Sequence, residues 1–207
     1  MPRSAHFELT VPSSIALVID RVIRADGGLA SWMKAQAFKK HSRTFVRSVG
    51  PISQIVNVQA SQGNFAEAGK FTINLAIHHL GLAEVRGNPT RGAYPKEYEC
   101  LLRERIGKLM PQQLDHWWQV RAEEDVATLA IEVRDTYVRY GEPWLQLHAE
   151  EPTLLSALRA QGGSDAVAAA VYAGDLNRAR ELARALLQDW PRATAVHAWL
   201  RRLGLIV

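Results

Sequence analysis

The chain has 207 residues, of which 47% are apolar and 22% are charged. These values are typical of a folded globular protein and exclude a disordered or fibrous chain. A single cysteine, Cys100, excludes an intramolecular disulfide and a metal centre built from several thiolates. No apolar run approaches the roughly 20 residues of a membrane span, and the N-terminus shows no signal-peptide pattern, so we expect a cytoplasmic protein without a membrane partner.

The formal net charge of +4 is distributed unevenly along the chain. Through Met110 there are 15 Lys or Arg against 8 Asp or Glu, and beyond it 10 against 13. No acidic residue lies between Asp26 and Glu67. The basic residues in this interval could attract an anionic partner, whereas the alternative is an ordinary solvated surface; the candidate residues are Lys39, Lys40, His41, Arg43 and Arg47.

Apolar residues from Ile15 to Ile23 recur at three- and four-residue spacing, which predicts an amphipathic helix capped by Ser13 or Ser14. Gly27 and Gly28 interrupt this pattern. A second helical piece is expected from Leu29 to about Ala37.

From Thr44 the hydrophobic period changes to two, which predicts strands at 44–49, 54–60 and 70–79. The connections between them are short, and short connections favour antiparallel neighbours. Two further strands are expected at 105–110 and 115–121. The segment from Gly87 to Pro95 is rich in turn-forming residues and predicts a surface loop.

A helix is expected to begin at Ala122 and to end at Gly141, with acidic residues in its first turn and arginines near its end. Beyond Pro152 the composition shifts to Ala, Leu and Arg, which predicts helices at 153–160, 164–173, 175–189 and 193–203. Part of this region resembles one tetratricopeptide-type hairpin, and the alternative is a helical cap on the sheet. The fold class is therefore α+β: residues 1–150 form an antiparallel meander sheet of about five strands with helices on one face, and residues 151–207 form a small all-helical C-terminal region.

The common catalytic and nucleotide-binding motifs do not occur in this sequence. Gly63 and Gly69-Lys70 depart from a phosphate-binding loop in spacing, and Phe71 stands where Ser or Thr would bind magnesium. His78 and His79 are adjacent on a strand, so their side chains point to opposite faces and are poorly placed to bind one metal ion together. Acidic neighbours should raise the pKa of Cys100, which we interpret as a structural thiol. We therefore assign no catalytic residue, no metal ligand and no cofactor.

The two central strands alternate apolar residues with amide and hydroxyl residues. Exposed sheet faces usually carry Lys, Glu and Asp, so an amide-rich face suggests a binding surface, with a solvated or loop-covered face as the alternative. His116 and the adjacent tryptophans could add a stacking surface. The candidate binding residues are Asn57, Gln59, Ser61, Asn74, His78, Arg105, Trp117 and Trp118.

Several short segments together resemble the bacterial DUF4304 family, whose function is unknown. They are Phe38-Lys39-Lys40, Arg43-Thr44-Phe45, Asn57 to Ser61, Phe71 to Leu75, Arg105 to Leu109 and Trp117-Trp118. The resemblance spans Ile15 to Tyr140. The family pattern has glycine where this chain has Ala37, and a long residue where it has Ala60. The family occurs in bacteria that carry polymorphic toxin systems, so the resemblance implies an immunity-type role by association only.

Three functions follow as hypotheses. The first is a non-catalytic protein-binding protein, of immunity or antitoxin type, that blocks a toxin with the sheet face and the Gly87 to Pro95 loop. The second is a nucleic-acid or polyanion binder that uses the basic 34–47 segment, with Trp117 or Trp118 as a stacking platform. The third is an enzyme with a dispersed site around His78, Asn74 and Arg105. The sequence leaves the oligomeric state open.

Overall fold

The computed structural model describes residues 14–65, 67–88, 92, 94–123 and 125–206. Ser13 and part of the 87–95 segment lie outside these residues, so the predicted cap at Ser13 and the predicted loop are not described in full. Helix α1 begins at Ser14. No helix in the described ranges is long and apolar enough to cross a membrane.

An antiparallel sheet forms the centre of the protein, which confirms the α+β class. Strands β1 to β5 follow one another in sequence order across the sheet, and β6 also pairs with β4. The strands are β1 (Lys39–His41), β2 (Thr44–Val49), β3 (Ile52–Ala60), β4 (Ala68–His79), β5 (Leu102–Arg105) and β6 (Trp118–Arg121).

The helices lie before, between and after these strands. They are α1 (Ser14–Arg24), α2 (Leu29–Ala35), α3 (Leu80–Arg86), α4 (Ile106–Leu109), α5 (Val126–Thr136), α6 (Glu142–His148), α7 (Glu151–Gln161), α8 (Gly163–Tyr172), α9 (Leu176–Asp189) and α10 (Thr194–Arg202). The last four match the predicted C-terminal helices closely. A single 3-10 turn occupies Glu97–Glu99.

The second half of the sheet differs from the prediction. We expected a strand at 105–110, but the strand ends at Arg105 and α4 follows at once. The expected strand at 115–121 is confined to Trp118–Arg121. Both β5 and β6 pair with the same edge of β4: Arg105 lies opposite Asn74, and Trp118 lies opposite Phe71. Residues 106–117, which we call the excursion, therefore leave this edge opposite Asn74 and return to it opposite Phe71, so that Thr72 and Ile73 have no partner on this side.

The helix predicted from Ala122 to Gly141 also differs. It begins at Val126, where the Asp125 carboxylate accepts hydrogen bonds from the backbone N–H groups of Ala127 and Thr128. This is the usual role of an N-cap residue. The chain does not leave the helical path at Gly141, because a π-helical turn at Tyr137–Gly141 leads directly into α6.

The main core lies between the sheet and the helices of the N-terminal two thirds. Helix α1 contributes a stripe that includes Ile15 and Ile19, both fully buried, and the strands contribute residues such as Phe45 and Leu75. Helix α7 joins this core through Leu154 and Leu158. A second core forms among α8, α9 and α10 around residues such as Ala183 and Leu200.

A polar cluster connects the end of β4 to the C-terminal helices. The His79 ring accepts a hydrogen bond at Nδ1 from the Leu82 backbone N–H, which caps α3, and its Nε2 lies 3.2 Å from the Glu151 carboxylate. Because Nδ1 accepts, Nε2 carries the proton of the neutral ring and donates to Glu151. Tyr172 of α8 donates to the same carboxylate. The sheet, α7 and α8 therefore meet at one side chain.

Candidate functional site

A row of polar side chains crosses five strands on one face of the sheet. The register places His41 opposite Thr44, Thr44 opposite Asn57, Asn57 opposite Asn74, and Asn74 opposite Arg105. Residues directly opposite each other in antiparallel strands point to the same face. The polar period of two that was visible in β3 and β4 therefore extends through both edges of the sheet.

Two residues of this row, Asn74 and Arg105, join one hydrogen-bond network with two other predicted site residues, Gln59 and Trp117. Asn74 donates from Nδ2 to Gln59 Oε1 at 2.7 Å, and Arg105 donates from Nε to Asn74 Oδ1 at 3.2 Å. Arg105 Nη1 also donates to both carboxylate oxygens of Asp115, at 2.9 and 3.0 Å. Trp117 Nε1 donates to Asp115 at 2.7 Å. Asp115 was missed from the sequence, although a carboxylate two residues before Trp117 was the available signal.

Three residues of this network, Asn74, Arg105 and Asp115, line a cavity beside the excursion. Residues 106–117 leave the β4 edge, so Thr72 has no strand residue opposite it on this side, and its hydroxyl donates to the His116 carbonyl. The cavity has a volume of about 450 Å³. Its lining residues are Asn74, Glu97, Arg103, Glu104, Arg105, Lys108 and Asp115.

The cavity carries both signs of charge, held in fixed positions. Arg103 pairs with Glu97 at 2.7 Å and Arg105 with Asp115 at 2.9 Å. Desolvation raises the pKa of Asp115, but the hydrogen bonds from Arg105 and Trp117 outweigh it, so the net shift is downward. The Arg105 guanidinium lies 5.2 Å from the centroid of the Trp117 ring. Arg105 is therefore held on three sides before any ligand arrives.

Two large apolar side chains stand beside these charged residues in the chain and are exposed to solvent. Tyr98, next to Glu97, is 69% exposed, and Leu114, next to Asp115, is 68% exposed. Aromatic and arginine side chains are enriched among residues that dominate protein–protein binding. The segments that line the cavity thus carry both positioned charges and exposed apolar side chains.

Other predicted site residues lie elsewhere or are covered. The amide-rich face is not an open surface, because Tyr94 and Cys100 pack over Val46, Ile55 and Ala76 at its centre. Sequence periodicity could not reveal this cover, since it comes from a segment outside the strands. Asn74 is 6% exposed, whereas Asn57, Gln59 and Ser61 are half-buried.

His78 and Trp118 are both buried. His78 is 1% exposed, and burial lowers its pKa, with the charge of His79 acting in the same direction. Trp118 points to the core face, where its ring stacks on Phe71 and its Nε1 donates to Glu132. Trp118 therefore packs in the core and is not available for stacking, unlike its half-buried neighbour Trp117.

The structure divides the predicted basic segment among several environments. Arg43 donates to Asp20 and to the Ala16 carbonyl of α1. Arg47 contacts Gln54 and Glu142 in a buried network that Tyr137 also joins. Both arginines are therefore bound by groups of the same chain. His41 stacks on Tyr94 with ring centroids 4.0 Å apart.

Lys39 and Lys40 remain exposed, but they lie on opposite faces of β1. Lys39 is opposite Val46, and Lys40 is opposite Phe45. The segment therefore does not form one continuous basic surface. Within the described residues, no group of three His, Cys, Asp or Glu side chains is placed to hold a metal ion.

Comparison with known proteins gives one match. A family model described as a domain of unknown function, DUF4304, matches residues 29–147, more than half of the chain. The matched part extends from α2 to α6 and contains the whole sheet and the cavity. No curated protein and no solved structure matches the chain.

Proposed function

Because the chain belongs to the DUF4304 family, a domain of unknown function, its role has to be argued from the site, and we propose that it acts by binding another protein at the cavity beside Arg105. The observation that carries this proposal is the network that fixes Arg105 against Asp115, Asn74 and Trp117. A side chain that is already ordered loses little conformational entropy on binding, so its contacts contribute more to affinity.

The charges that line the cavity support a protein partner that carries both positively and negatively charged groups. Cations and carboxylates both line the cavity, and Arg103 is half exposed while its partner Glu97 is largely covered. Exposed Tyr98 offers a large, rigid apolar contact at low entropic cost. A partner that covers these residues would desolvate the ion pairs together and so gain specificity more than raw affinity.

The specific form of this proposal is an immunity- or antitoxin-type protein that binds and blocks a toxin in the cytoplasm. Its support is an association carried by the family resemblance, together with the fixed charged groups that line the cavity. In this form the protein has no catalytic step of its own. Its activity is to occlude the partner.

The other two hypotheses find less support in the geometry. A nucleic-acid interface needs several phosphate-neutralising cations on one surface, but Arg43 and Arg47 contact Asp20 and Glu142, and Lys39 and Lys40 face opposite sides of β1. A general base must reach the proton that it removes, and His78 is 1% exposed. We therefore favour protein binding.

The test is affinity capture from the source organism with the full chain, followed by mass spectrometry and a measurement of affinity for the protein retained. We expect one stoichiometric protein. Tyr98→Ala and Arg103→Ala should each weaken its binding by about tenfold or more, because truncating a central contact costs more than about 1.4 kcal/mol.

Two matched controls lie in the C-terminal helices. Trp190→Ala removes another exposed aromatic side chain, 62% exposed, and Arg178→Ala removes an exposed arginine paired with Glu181. Both should leave the affinity within about twofold, since neither residue lines the cavity or stands next in the chain to one that does, as Tyr98 stands next to Glu97. Capture of no stoichiometric protein, or equal losses in the controls and the cavity variants, would reject the proposal.

A further inference from the structure

A second cavity lies on the opposite side of the sheet, between α1, α2 and the β1–β2 edge. Its volume is about 400 Å³, within the usual range for small-molecule sites. The lining residues are Arg24, Ala30, Ser31, Lys34, Phe38, Lys40 and Phe45. It shares no residue with the Arg105 cavity, so an inference from it is independent of the proposed function.

The register of β1 selects which basic residue enters this cavity. Lys40 lies opposite Phe45, a core residue, and so its side chain is on the face covered by the helices. Lys39 lies opposite Val46 and His41 opposite Thr44, so both are on the other face. Of the three consecutive basic residues in this strand, the cavity therefore receives the middle one.

Positive charge dominates this cavity. Arg24 comes from the end of α1 and Lys34 from the last turn of α2, and neither has a carboxylate partner among residues 14–65, 67–88, 92, 94–123 and 125–206. Asp20 attracts Lys40 but already binds Arg43 at 2.7 Å. The helix carbonyl ends offset part of the charge of Arg24 and Lys34. Three cations thus line the cavity, and Asp20, which attracts Lys40, is already bound to Arg43.

The surroundings of Lys40 disfavour its charged form. Burial is the largest cause that lowers its pKa, and the charges of Arg24 and, to a smaller extent, Arg43 lower it further, against an opposing effect of Asp20. An anion bound between the three cations would reverse this repulsion, since an opposite charge nearby favours the charged form of an amine.

The apolar part of the lining indicates the rest of the ligand. Ala30 adds an apolar surface, and Phe38 and Phe45, which are 5% and 1% exposed, contribute a small part of the lining. The Lys40 ammonium lies 6.0 Å from the centroid of the Phe45 ring. A cavity lined by a few charged groups and by apolar surface suits a ligand that has a charged group at one end and an apolar remainder, or body.

We propose that this cavity binds a small phosphate monoester with an aromatic or other apolar body, with the phosphate held by Arg24, Lys34 and Lys40 and the body against the apolar part of the lining, which includes Ala30. A phosphate monoester carries close to two negative charges at neutral pH and has three strong acceptor oxygens. Ammonium and guanidinium groups donate charge-assisted hydrogen bonds to such oxygens. A monocarboxylate supplies only half of that charge.

The test is calorimetric titration of the full chain with phenyl phosphate, benzoate and inorganic phosphate at matched low ionic strength. We expect phenyl phosphate to bind at least about tenfold more tightly than benzoate, because of its charge, and severalfold more tightly than inorganic phosphate, because of its ring. Failure of phenyl phosphate to bind at millimolar concentration would overturn the proposal. Equal affinity for inorganic phosphate would overturn the assignment of the apolar body.

The neighbouring lysine provides a matched control. Lys40→Gln should weaken phenyl phosphate binding by about tenfold, whereas Lys39→Gln changes the same net charge on the other face of the same strand and should change it by less than about twofold. Equal losses in the two variants would show a diffuse charge effect and overturn the site. A short single-stranded DNA titrated in parallel should bind no more tightly than inorganic phosphate; salt-sensitive DNA binding that both lysines weaken equally would instead favour a nucleic-acid surface.

Discussion

The buried pair of Arg47 and Glu142 allows a prediction whose size can be worked from the structure. Their side chains are 16% and 7% exposed, and the guanidinium Nη2 lies 2.8 Å from Glu142 Oε1. Glu142 also accepts hydrogen bonds from Tyr137 and Gln146. Arg47→Met keeps the length and apolar contact of the side chain but leaves the carboxylate without its cation.

Removing one partner of a buried ion pair costs about 3–5 kcal/mol, since the remaining charge stays buried and uncompensated. The unfolding entropy is about 2.1 cal/mol/K per residue, so each 1 kcal/mol corresponds to about 2–3 °C for a chain of this length. Arg47→Met should therefore lower the midpoint of thermal unfolding by about 7–12 °C. The control Arg178→Met removes a pair with both partners more than half exposed and should lower it by about 1 °C or less.

The double variant Arg47→Met/Glu142→Gln shows whether the loss of stability comes from the uncompensated charge of Glu142 or from lost packing. The glutamine can still accept the Tyr137 hydroxyl hydrogen but carries no charge, so the double variant should be more stable than Arg47→Met alone by about 2 kcal/mol. Differential scanning calorimetry measures all four proteins. A loss of less than about 3 °C in Arg47→Met, or a double variant less stable than the single one, would refute this reasoning.

Three further predictions concern the thiol, the buried phenol and a strained turn. Burial, aided by the charge of Glu97, raises the pKa of Cys100 to about 12, so the folded protein should not react with a thiol reagent at pH 8 until it is denatured, and fast reaction would contradict the buried position. Burial and then the charge of Glu142 raise the pKa of Tyr137 above its usual value near 10.0; the unfolded chain loses this proton first as pH rises, so stability should fall above about pH 10 by up to about 1.4 kcal/mol per pH unit, and Tyr137→Phe should flatten this decline in urea titrations even though it lowers stability at pH 8. Ala37 has a φ of 62°, a conformation that glycine adopts more readily than alanine, so Ala37→Gly should raise the unfolding midpoint by about 1–2 °C, whereas the helical neighbour Ala35→Gly should lower it; a loss in both would contradict strain at Ala37.

The strands β2, β3 and β4 were predictable because their hydrophobic period of two is maintained over short connections. The interruption between β5 and β6 was not, since the pairing of Arg105 with Asn74 and of Trp118 with Phe71 depends on a distant strand. Local pattern cannot show where a chain leaves a sheet edge and where it returns.

The candidate site was predictable to a similar degree. Gln59, Asn74, Arg105 and Trp117 were selected from polar alternation and family resemblance, and they meet in one network. The buried ion pair of Arg47 could not be predicted from the sequence, because its partner Glu142 is 95 positions away in the chain. A basic residue in a basic segment resembles a free surface charge until its long-range partner is known.

The excursion also bears on how such a protein could change its specificity. Since residues 106–117 begin and end on the same edge of β4, the exposed residues 111–114 within them can vary in length and sequence while every strand keeps its pairing partner. Lengthening a loop costs little entropy, about 0.6 kcal/mol for each doubling. The sheet therefore supplies a constant frame, and the exposed part of the excursion is where the surroundings of the proposed binding cavity can change without altering the strand pairing.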